Sequence, residues 1–355
     1  MRIGNKLVGD GNPCFIIAEG GVNHNGELYL AKKMIRTAKK TGADAIKFQT
    51  FKADELASEK AEKAEYQKDP NDINENQLSM LRKLEFSETE HQELKHYADE
   101  NGIIFLSSAF DPPSIKLLSE LDVPAYKIPS GEIDNIPYLR TIADYNRPII
   151  LSTGMATLSE IDTAINEIHN RGNNKIILLQ CITSYPPDYS EMNLKTIPTM
   201  KQTFGVPTGF SDHSMGNVIS FAAVALGACV IEKHFTLDKT LDGPDHKASI
   251  NPVELEDLVR GIRNIENAMG DGVKVPTENE KKIKKLVRKS LFINQDIKKG
   301  TILSRNLIEV KRPATGISPK YYDFILGKKI QKSLKKGENL IWEHILDYET
   351  SSETK

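Results

Sequence analysis

Eight short apolar stretches recur along the chain, and each ends in a polar or charged cluster. The stretches are CFIIAEGGVNHN (14–25), DAIKFQTF (44–51), GIIFLSSAF (102–110), PAYKIPSGE (124–132), RPIILSTGM (147–155), KIILLQCITSY (175–185), GVPTGFSDHS (205–214) and ACVIEKHFT (228–236). Continuous apolar runs of this kind are typical of buried parallel strands, and most of the intervening segments have helical periodicity. Eight alternations of strand and helix predict an α/β fold, the (β/α)8 TIM barrel, with reactive groups where the strands end.

The chain has 355 residues, and a single barrel uses about 250. A charged stretch near residue 280 favours a domain boundary there. In the remainder, DIKKGTIL and SLKKGENLI look like two copies of one strand that turns at Lys-Lys-Gly, which indicates a small pseudo-symmetric β module. The predicted division is a barrel over 1–275, a linker over 276–288, a small domain over 289–349 and a polar tail over 350–355.

Helix boundaries are marked by capping patterns. Ser87 is followed three residues later by Glu90, and Thr157 by Glu160, which predicts a capping box at the start of each helix. A long polar segment, residues 52–86, follows the second predicted strand. Such a segment is expected to form a lid or a substrate-binding element, and the alternative is a solvated charged helix.

Composition excludes several classes of protein. The net charge of −2 gives no electrostatic footprint for nucleic acid or a membrane surface. Cys14, Cys181 and Cys229 lie in or beside predicted strands, where buried free thiols are expected, and a catalytic Cys181 is the alternative. The longest apolar run, residues 219–231, is too short to cross a bilayer. We therefore expect a soluble cytoplasmic protein.

Two histidines follow consecutive β-rich runs, His213 in GFSDHS and His234 in IEKHFT. Neighbouring barrel strands place their ends side by side at one rim. Two neutral imidazoles there suit a divalent transition metal, with open coordination positions for a substrate oxygen. The alternative is one ligand and one structural histidine.

Two lysines also fall at predicted strand ends, Lys47 in IKFQT and Lys127 in YKIPSGE. A lysine in a dry barrel needs an anion to meet it. Together with Ser130, Ser152 and Ser211 these lysines could form a cradle for a phosphate and a carboxylate. The alternatives are a Schiff-base lysine, as in carbonyl aldolases, and structural salt bridges.

Acidic residues supply candidate proton carriers. Glu19 and Glu132 lie at strand ends, and Asp212, Asp242 and Asp245 lie beside the two histidines. Carboxylates near a metal could activate water or bind sugar hydroxyls. The alternative for each acid is a structural ion pair with a lysine.

At these residues the sequence resembles the sialic acid synthase family, which includes N-acetylneuraminate and N,N'-diacetyllegionaminate synthases. The matching words are IIAEGGVNHNG (16–26), GADAIKFQTFKAD (42–54), KAEYQ (63–67), YKIPSGEI (126–133), PIILSTGMAT (148–157), GFSDHS (209–214), IEKHFTLDKTLDGPDHKASINP (231–252) and VKRPATGIS (310–318). The resemblance implies a TIM barrel followed by a small antifreeze-like (SAF, β-clip) domain. It also implies a domain-swapped homodimer in which that domain covers the partner's active site.

The resemblance further implies a transferase that joins phosphoenolpyruvate (PEP) to an N-acyl-mannosamine aldehyde, giving a nine-carbon 2-keto sugar acid and phosphate. His213 and His234 would hold Mn²⁺, with Mg²⁺ or Co²⁺ as alternatives. The implied catalytic residues are Glu19, Lys47, Lys127, Glu132 and Asp245. The implied PEP-binding residues are Lys47, Lys127, Ser130, Ser152 and Ser211. The implied sugar-binding residues are Gln49, Ser108, Tyr185, Asp245 and Arg312, the last reaching across the dimer to the N-acyl group.

Among the functional hypotheses, we favour N-acetylneuraminate synthesis. The alternative within the family is N,N'-diacetyllegionaminate synthesis from 2,4-diacetamido-2,4,6-trideoxymannose. Ser108-Ala109 and Thr183 depart from residues common in the family, and Thr183 leaves the polar contacts to the sugar open. A Schiff-base aldolase and a non-enzymatic carbohydrate-binding protein are the readings outside the family.

Overall fold

The structure, a computed structural model, describes residues 1–64 and 75–345. It divides into two compact units, Met1–Gly270 and Asp271–Lys355. The boundary therefore lies earlier than the predicted barrel end at 275. The predicted charged linker, 276–288, contains a helix, Glu278–Val287. The predicted tail, 350–355, and the last residues of the predicted small domain lie outside the described residues.

The first unit is the predicted barrel. A short hairpin of β1 (Arg2–Ile3) and β2 (Lys6–Leu7) precedes eight parallel strands, and the last of these pairs with the first, so the sheet closes. The barrel strands are β3 (Phe15–Gly21), β4 (Ala45–Thr50), β5 (Ile104–Ala109), β6 (Tyr126–Ile128), β7 (Ile149–Ser152), β8 (Ile176–Cys181), β9 (Thr208–Asp212) and β10 (Val230–His234).

Helices surround this sheet. They are α1 (Leu28–Lys40), α2 (Ala53–Leu56), α3 (Gln77–Leu84), α4 (Glu88–Glu100), α5 (Pro112–Glu120), α6 (Ile136–Asp144), α7 (Leu158–Asn170), α8 (Thr196–Phe204), α9 (Val218–Ala225) and α10 (Pro252–Met269). The predicted capping boxes at Ser87 and Thr157 both form, which confirms those helix starts. Within the described ranges, no helix combines the length and the apolar content needed to cross a membrane.

The barrel interior is apolar at one end and polar at the other. In β4, Ala45 packs in the inner core, Ile46 and Phe48 pack outward against the helices, and Lys47 faces inward again. The same alternation in the other strands fills the amino-terminal half with aliphatic side chains, and Ile3 of the hairpin joins them. Polar side chains are thus confined to the carboxyl ends of the strands.

The second unit is a small β module with its own apolar core. It contains α11 (Glu278–Val287), β11 (Ser290–Ile293), β12 (Ile308–Lys311), which pairs antiparallel with β11, and α12 (Tyr322–Ile325). The two predicted Lys-Lys-Gly turns are related by a pairing of Ile297 with Leu334. Gly300 and Gly337 end the two motifs at φ values of 90° and 87°, a left-handed conformation that favours glycine.

An ion pair fixes β9 against β10 outside the barrel lumen. Lys233 Nζ lies 2.9 Å from Asp212 Oδ2, and both side chains are almost fully buried. The Ser220 hydroxyl on α9 donates to the same carboxylate at 2.5 Å, and Lys233 donates to the carbonyl of Ser214. Because side chains alternate along a strand, this outward pair orients the inward residues on either side of it, among them His234.

Candidate active site

A cavity of about 310 Å³ opens at the carboxyl ends of the barrel strands. It brings together most of the residues that the sequence predicts for a functional site. Those that line it are Glu19, Lys47, Gln49, Ser108, Lys127, Ser130, Ser152, Tyr185, Ser211, His213, His234 and Asp245. This clustering follows from the topology, since parallel strands that close into a ring direct all their carboxyl ends to one face.

Two predicted site residues are not among the residues that line the cavity. Glu132 is partly exposed, and its carboxylate accepts a hydrogen bond of 2.7 Å from Asn135. Arg312 is an exposed residue of the second unit. Asp212 and Asp242, which the sequence places beside the histidines, do not line the cavity either, and Asp212 is paired with Lys233 as described above. The roles of Glu132 and Arg312 stay predictions.

The floor of the cavity is a buried network of two lysines and two glutamates. Lys47 Nζ lies 2.7 Å from Glu19 Oε2 and 3.8 Å from Glu232 Oε2. Lys127 Nζ lies 3.5 Å from Glu232 Oε1. Glu232 therefore stands between both ammonium groups, and we call these four residues the charged floor.

Serine hydroxyls complete the hydrogen bonding of the charged floor. Lys47 donates to Ser108 Oγ at 3.1 Å, and Lys127 donates to Ser152 Oγ at 2.8 Å. Ser211 donates to Glu232 Oε1 at 3.0 Å. These hydroxyls can either donate or accept, so the same groups could turn toward an anion that replaced the present partners.

Burial and charge act on the pKa values of the floor in opposite directions. Burial raises the pKa of Glu19, and the attraction of Lys47 only partly offsets this effect. Burial also opposes ionisation of Glu232, but Lys127 and Lys47 outweigh it and hold the pKa of that carboxyl below its usual range. Burial lowers the pKa of Lys127, with Glu232 acting against it, whereas the attraction of Glu19 and Glu232 leaves the pKa of Lys47 raised in spite of burial. Glu232 therefore stays ionised near neutral pH, whereas Glu19 is more readily protonated.

Glu232 is the site residue that the sequence reasoning missed. It lies in the word IEKHFT, two positions before His234. Strand residues two apart face the same side, so the signal was present in the spacing. Its outward neighbour Lys233 forms a structural ion pair with Asp212, whereas Glu232 faces the cavity.

Ser130 lies in a narrow polar niche beside the floor. Its hydroxyl accepts a hydrogen bond of 2.9 Å from the backbone N–H of Gly154 and lies 3.1 Å from Cys181 Sγ. A Cβ at position 154 would come within 2.4 Å of Thr183 Oγ1 and 2.8 Å of Ser130 Oγ, so only glycine fits. All three cysteines are free and buried, as the sequence predicts.

The two histidines stand next to each other above the floor. Their ring centroids are 5.4 Å apart, and Tyr185 packs on His213 at 4.1 Å and meets His234 edge-on at 5.5 Å. His213 Nδ1 donates to the carbonyl of Ile182 at 2.6 Å, so Nε2 keeps its lone pair. Burial lowers the pKa of His213 to about 4 and that of His234 well below its usual value. Both rings are therefore neutral near pH 7.

These features fit a divalent cation bound by the two imidazoles. Metal ligands must be deprotonated, and the carbonyl that fixes the His213 tautomer is the usual support for a ligating ring. His234 Nδ1 is buried without a hydrogen-bond partner among the described residues, and Asp245 Oδ2 is 3.9 Å away. In the same residues no group of three or more His, Cys, Asp or Glu side chains could hold an ion. A cation here would need water or substrate to complete its coordination.

Asp245 closes the cavity beside His234. It lies in the loop after β10, and burial raises the pKa of its carboxyl to about 6. Within the part of the chain that the structure describes, the one basic side chain within salt-bridge distance is His234, whose neutral ring lies 3.9 Å away and does not offset that burial. Asp245 can therefore hold or release a proton close to neutral pH.

This chain is similar to known proteins over most of its length. The chain matches the NeuB family over residues 34–274 and the SAF domain over residues 288–346. It is 52% identical to the N,N'-diacetyllegionaminic acid synthase of Campylobacter jejuni, covering 91% of this chain and 97% of the relative. It is 46% identical to the enzyme of the same name from Legionella pneumophila, covering 96% and 97%.

Among solved structures, the chain is similar to an N-acetylneuraminic acid (sialic acid) synthetase from Leptospira borgpetersenii in complex with citrate. The two are 38% identical with a TM-score of 0.73, and the match covers 80% of this chain and 94% of that one. The predicted antifreeze-like domain is confirmed by the SAF match. The protein thus belongs to the NeuB family of sialic acid synthase relatives and carries a C-terminal SAF domain.

Proposed function

We propose that this protein condenses PEP with an open-chain N-acylated mannosamine aldehyde to give a nine-carbon 2-keto sugar acid and phosphate. The observation that carries the proposal is a single cavity in which two neutral histidines stand above two buried lysines. The histidines would hold a cation that polarises the aldehyde, and the lysine ammonium groups would bind the phosphate and carboxylate of PEP. The sugar we propose is 2,4-diacetamido-2,4,6-trideoxymannose, with N,N'-diacetyllegionaminate as the product.

The choice of sugar differs from the one that the sequence alone favours. N-acetylneuraminate synthesis has less support, because the relatives at 52% and 46% identity both carry the name N,N'-diacetyllegionaminic acid synthase. The sialic acid synthetase among the solved structures is less similar, at 38% identity. N-acetylmannosamine remains the alternative substrate.

PEP would bind on the charged floor. Lys47 and Lys127 would turn from their present partners to its phosphate and carboxylate, with Ser130, Ser152 and Ser211 donating further hydrogen bonds. Glu232 stays ionised between the lysines and repels such an anion. His213 and His234 would hold a divalent cation, whose charge would offset that repulsion and which would supply polarisation of the sugar aldehyde.

The reaction requires three bond changes. C3 of PEP attacks the aldehyde carbon, water adds to C2, and the C2–O bond to phosphate breaks so that phosphate leaves. Asp245, with a pKa of about 6, donates a proton to the aldehyde oxygen as it becomes a hydroxyl. Glu19, whose pKa is raised by burial, accepts a proton from the water that attacks C2.

A Schiff-base aldolase is the second candidate. The lowered pKa of Lys127 favours it, because an unprotonated amine is the nucleophile in that chemistry. Against it, Lys127 already donates to Ser152 and faces the ionised Glu232. Borohydride reduction in the presence of substrate would trap a lysine adduct only if the protein is a Schiff-base aldolase.

Metal removal tests the main proposal. Enzyme stripped with EDTA should release phosphate from PEP and sugar roughly a hundredfold more slowly or worse, since metal polarisation is worth several kcal/mol. Mn²⁺ should restore the rate, and His234→Ala should stay inactive with its thermal unfolding midpoint retained. Phosphate release without sugar is the background control. A full rate in metal-free buffer would contradict the proposal.

We also propose that the protein is a domain-swapped homodimer in which Arg312 reaches the partner's active site. Arg312→Ala should then lower kcat/KM for the sugar by roughly tenfold or more, because a buried charged contact is lost, with little change in the KM for PEP. Steady-state kinetics with each substrate varied in turn measures both effects. Lys311→Ala, the adjacent exposed cation, is the matched control. Equal losses for sugar and PEP would refute this role.

The ionised form of Asp245 should lower the free energy of unfolding of the barrel. Its pKa is about 6 in the folded protein and about 3.9 in the unfolded chain, so the folded state binds the proton more tightly. The stability that this group confers is present below pH 4 and lost as the pH rises through 6, a difference on the order of 3 kcal/mol. Asp245→Asn should therefore raise the free energy of unfolding at pH 8 and have little effect at pH 4.

Urea unfolding at the two pH values measures this effect. Asp212→Asn is the matched control, because it removes a charge that is paired with Lys233 and should lower the free energy of unfolding at pH 8 by about 3 kcal/mol. If Asp245→Asn changes the free energy of unfolding equally at pH 4 and pH 8, the charge of Asp245 is not the cause.

A further inference from the structure

One side of the cavity is apolar, in contrast to the charged floor. It is formed by six side chains that we call the apolar wall: Val22, Leu56, Met80, Leu81, Leu84 and Phe110. Met80, Leu81 and Leu84 are only 7–8% exposed, so they are packed in place. They belong to an apolar cluster over the barrel mouth, which argues against the reading of segment 52–86 as a merely solvated helix.

The apolar wall lies across the mouth from the group that would hold the aldehyde. Its residues follow β3, β4 and β5, whereas Tyr185 follows β8 and His213 follows β9. In the closed ring β4 and β8 lie diametrically opposite each other. If the aldehyde carbon is at the histidines, as the proposed function requires, the far end of a six-carbon chain extends away from them and toward this wall.

The chemistry of the wall distinguishes a methyl group from a hydroxymethyl group. Among the described residues, Gln77 is the polar side chain that α3 contributes to the cavity lining. A methyl group on this surface leaves water and gains contacts. A hydroxyl in the same position gives up hydrogen bonds to water, and none of the six side chains of the apolar wall can replace them.

We infer that the apolar wall, to which Leu81 on α3 belongs, selects sugars whose terminal carbon is a methyl group over those that end in hydroxymethyl. The inference rests on the proposed function and names the feature of this chain that decides the sugar. It concerns C6 of the sugar alone and makes no demand on the substituent at C4.

Two sugars that differ in one hydroxyl test it: N-acetylmannosamine and its 6-deoxy analogue. With PEP and Mn²⁺, wild-type protein should use the 6-deoxy sugar with a kcat/KM roughly ten- to a hundredfold higher, the range for one hydroxyl at an apolar surface. Leu81→Ala opens the wall to water and should reduce the preference to about threefold or less. The KM for PEP should not change.

Leu78→Ala is the matched control. Leu78 is a buried leucine of the same helix and the same cluster, but it does not line the cavity. Both variants lose the same atoms, so both should lower the thermal unfolding midpoint, while Leu78→Ala should keep the wild-type sugar preference.

The outcomes separate the inference from the function it rests on. Turnover of both sugars at similar kcat/KM by wild-type protein would overturn the inference and leave the synthase function standing. An equal loss of preference in Leu78→Ala and Leu81→Ala would overturn it as well, because the cause would then be the packing of α3. Phosphate release with 2,4-diacetamido-2,4,6-trideoxymannose but with neither test sugar would show that the C4 substituent decides, which would overturn the inference and leave the synthase function standing. No phosphate release with any of the three sugars would overturn the proposed function, and the inference with it.

Discussion

The site depends on one buried carboxylate, Glu232, held between two lysine ammonium groups. Without it, Glu19 would be the one carboxylate of the charged floor left to face two buried ammonium groups, which is costly. With it, the charges of the two ammonium groups are partly neutralised. The same negative charge repels a polyanion that binds to these lysines. In the proposed function, the same interaction would therefore couple anion binding to a cation held by the nearby histidines.

The barrel supplies the support that such a floor needs. Its amino-terminal half is packed with aliphatic side chains, so the charged groups rest on a rigid and dry base. The outward pair of Asp212 and Lys233 fixes β9 in register with β10, the strand that carries Glu232 and His234. Asp245 is the opposite case, a carboxyl whose burial is not compensated and whose raised pKa is useful for chemistry.

Much of this was predictable from the sequence, because barrel topology converts strand-end residues into one site. His213 and Lys47 could be assigned from their positions in apolar runs alone. Glu232 was missed although its spacing from His234 places both on one face of the strand, because its importance comes from two lysines on other strands. The apolar wall was missed because Leu81 reads as an ordinary core leucine of an amphipathic helix. The role of Arg312 depends on how units or subunits meet, which local sequence does not encode.

The coupling through Glu232 can be measured directly by calorimetric titration of PEP, with and without Mn²⁺, into wild-type protein and Glu232→Gln. In wild-type protein, Mn²⁺ should strengthen PEP binding by roughly tenfold or more, a coupling of about 1.4 kcal/mol or above. Glu232→Gln removes the repelling charge at constant shape, so it should bind PEP more tightly than wild type without metal and gain less from Mn²⁺. Metal-free PEP affinity that is no better in Glu232→Gln than in wild-type protein would contradict the account.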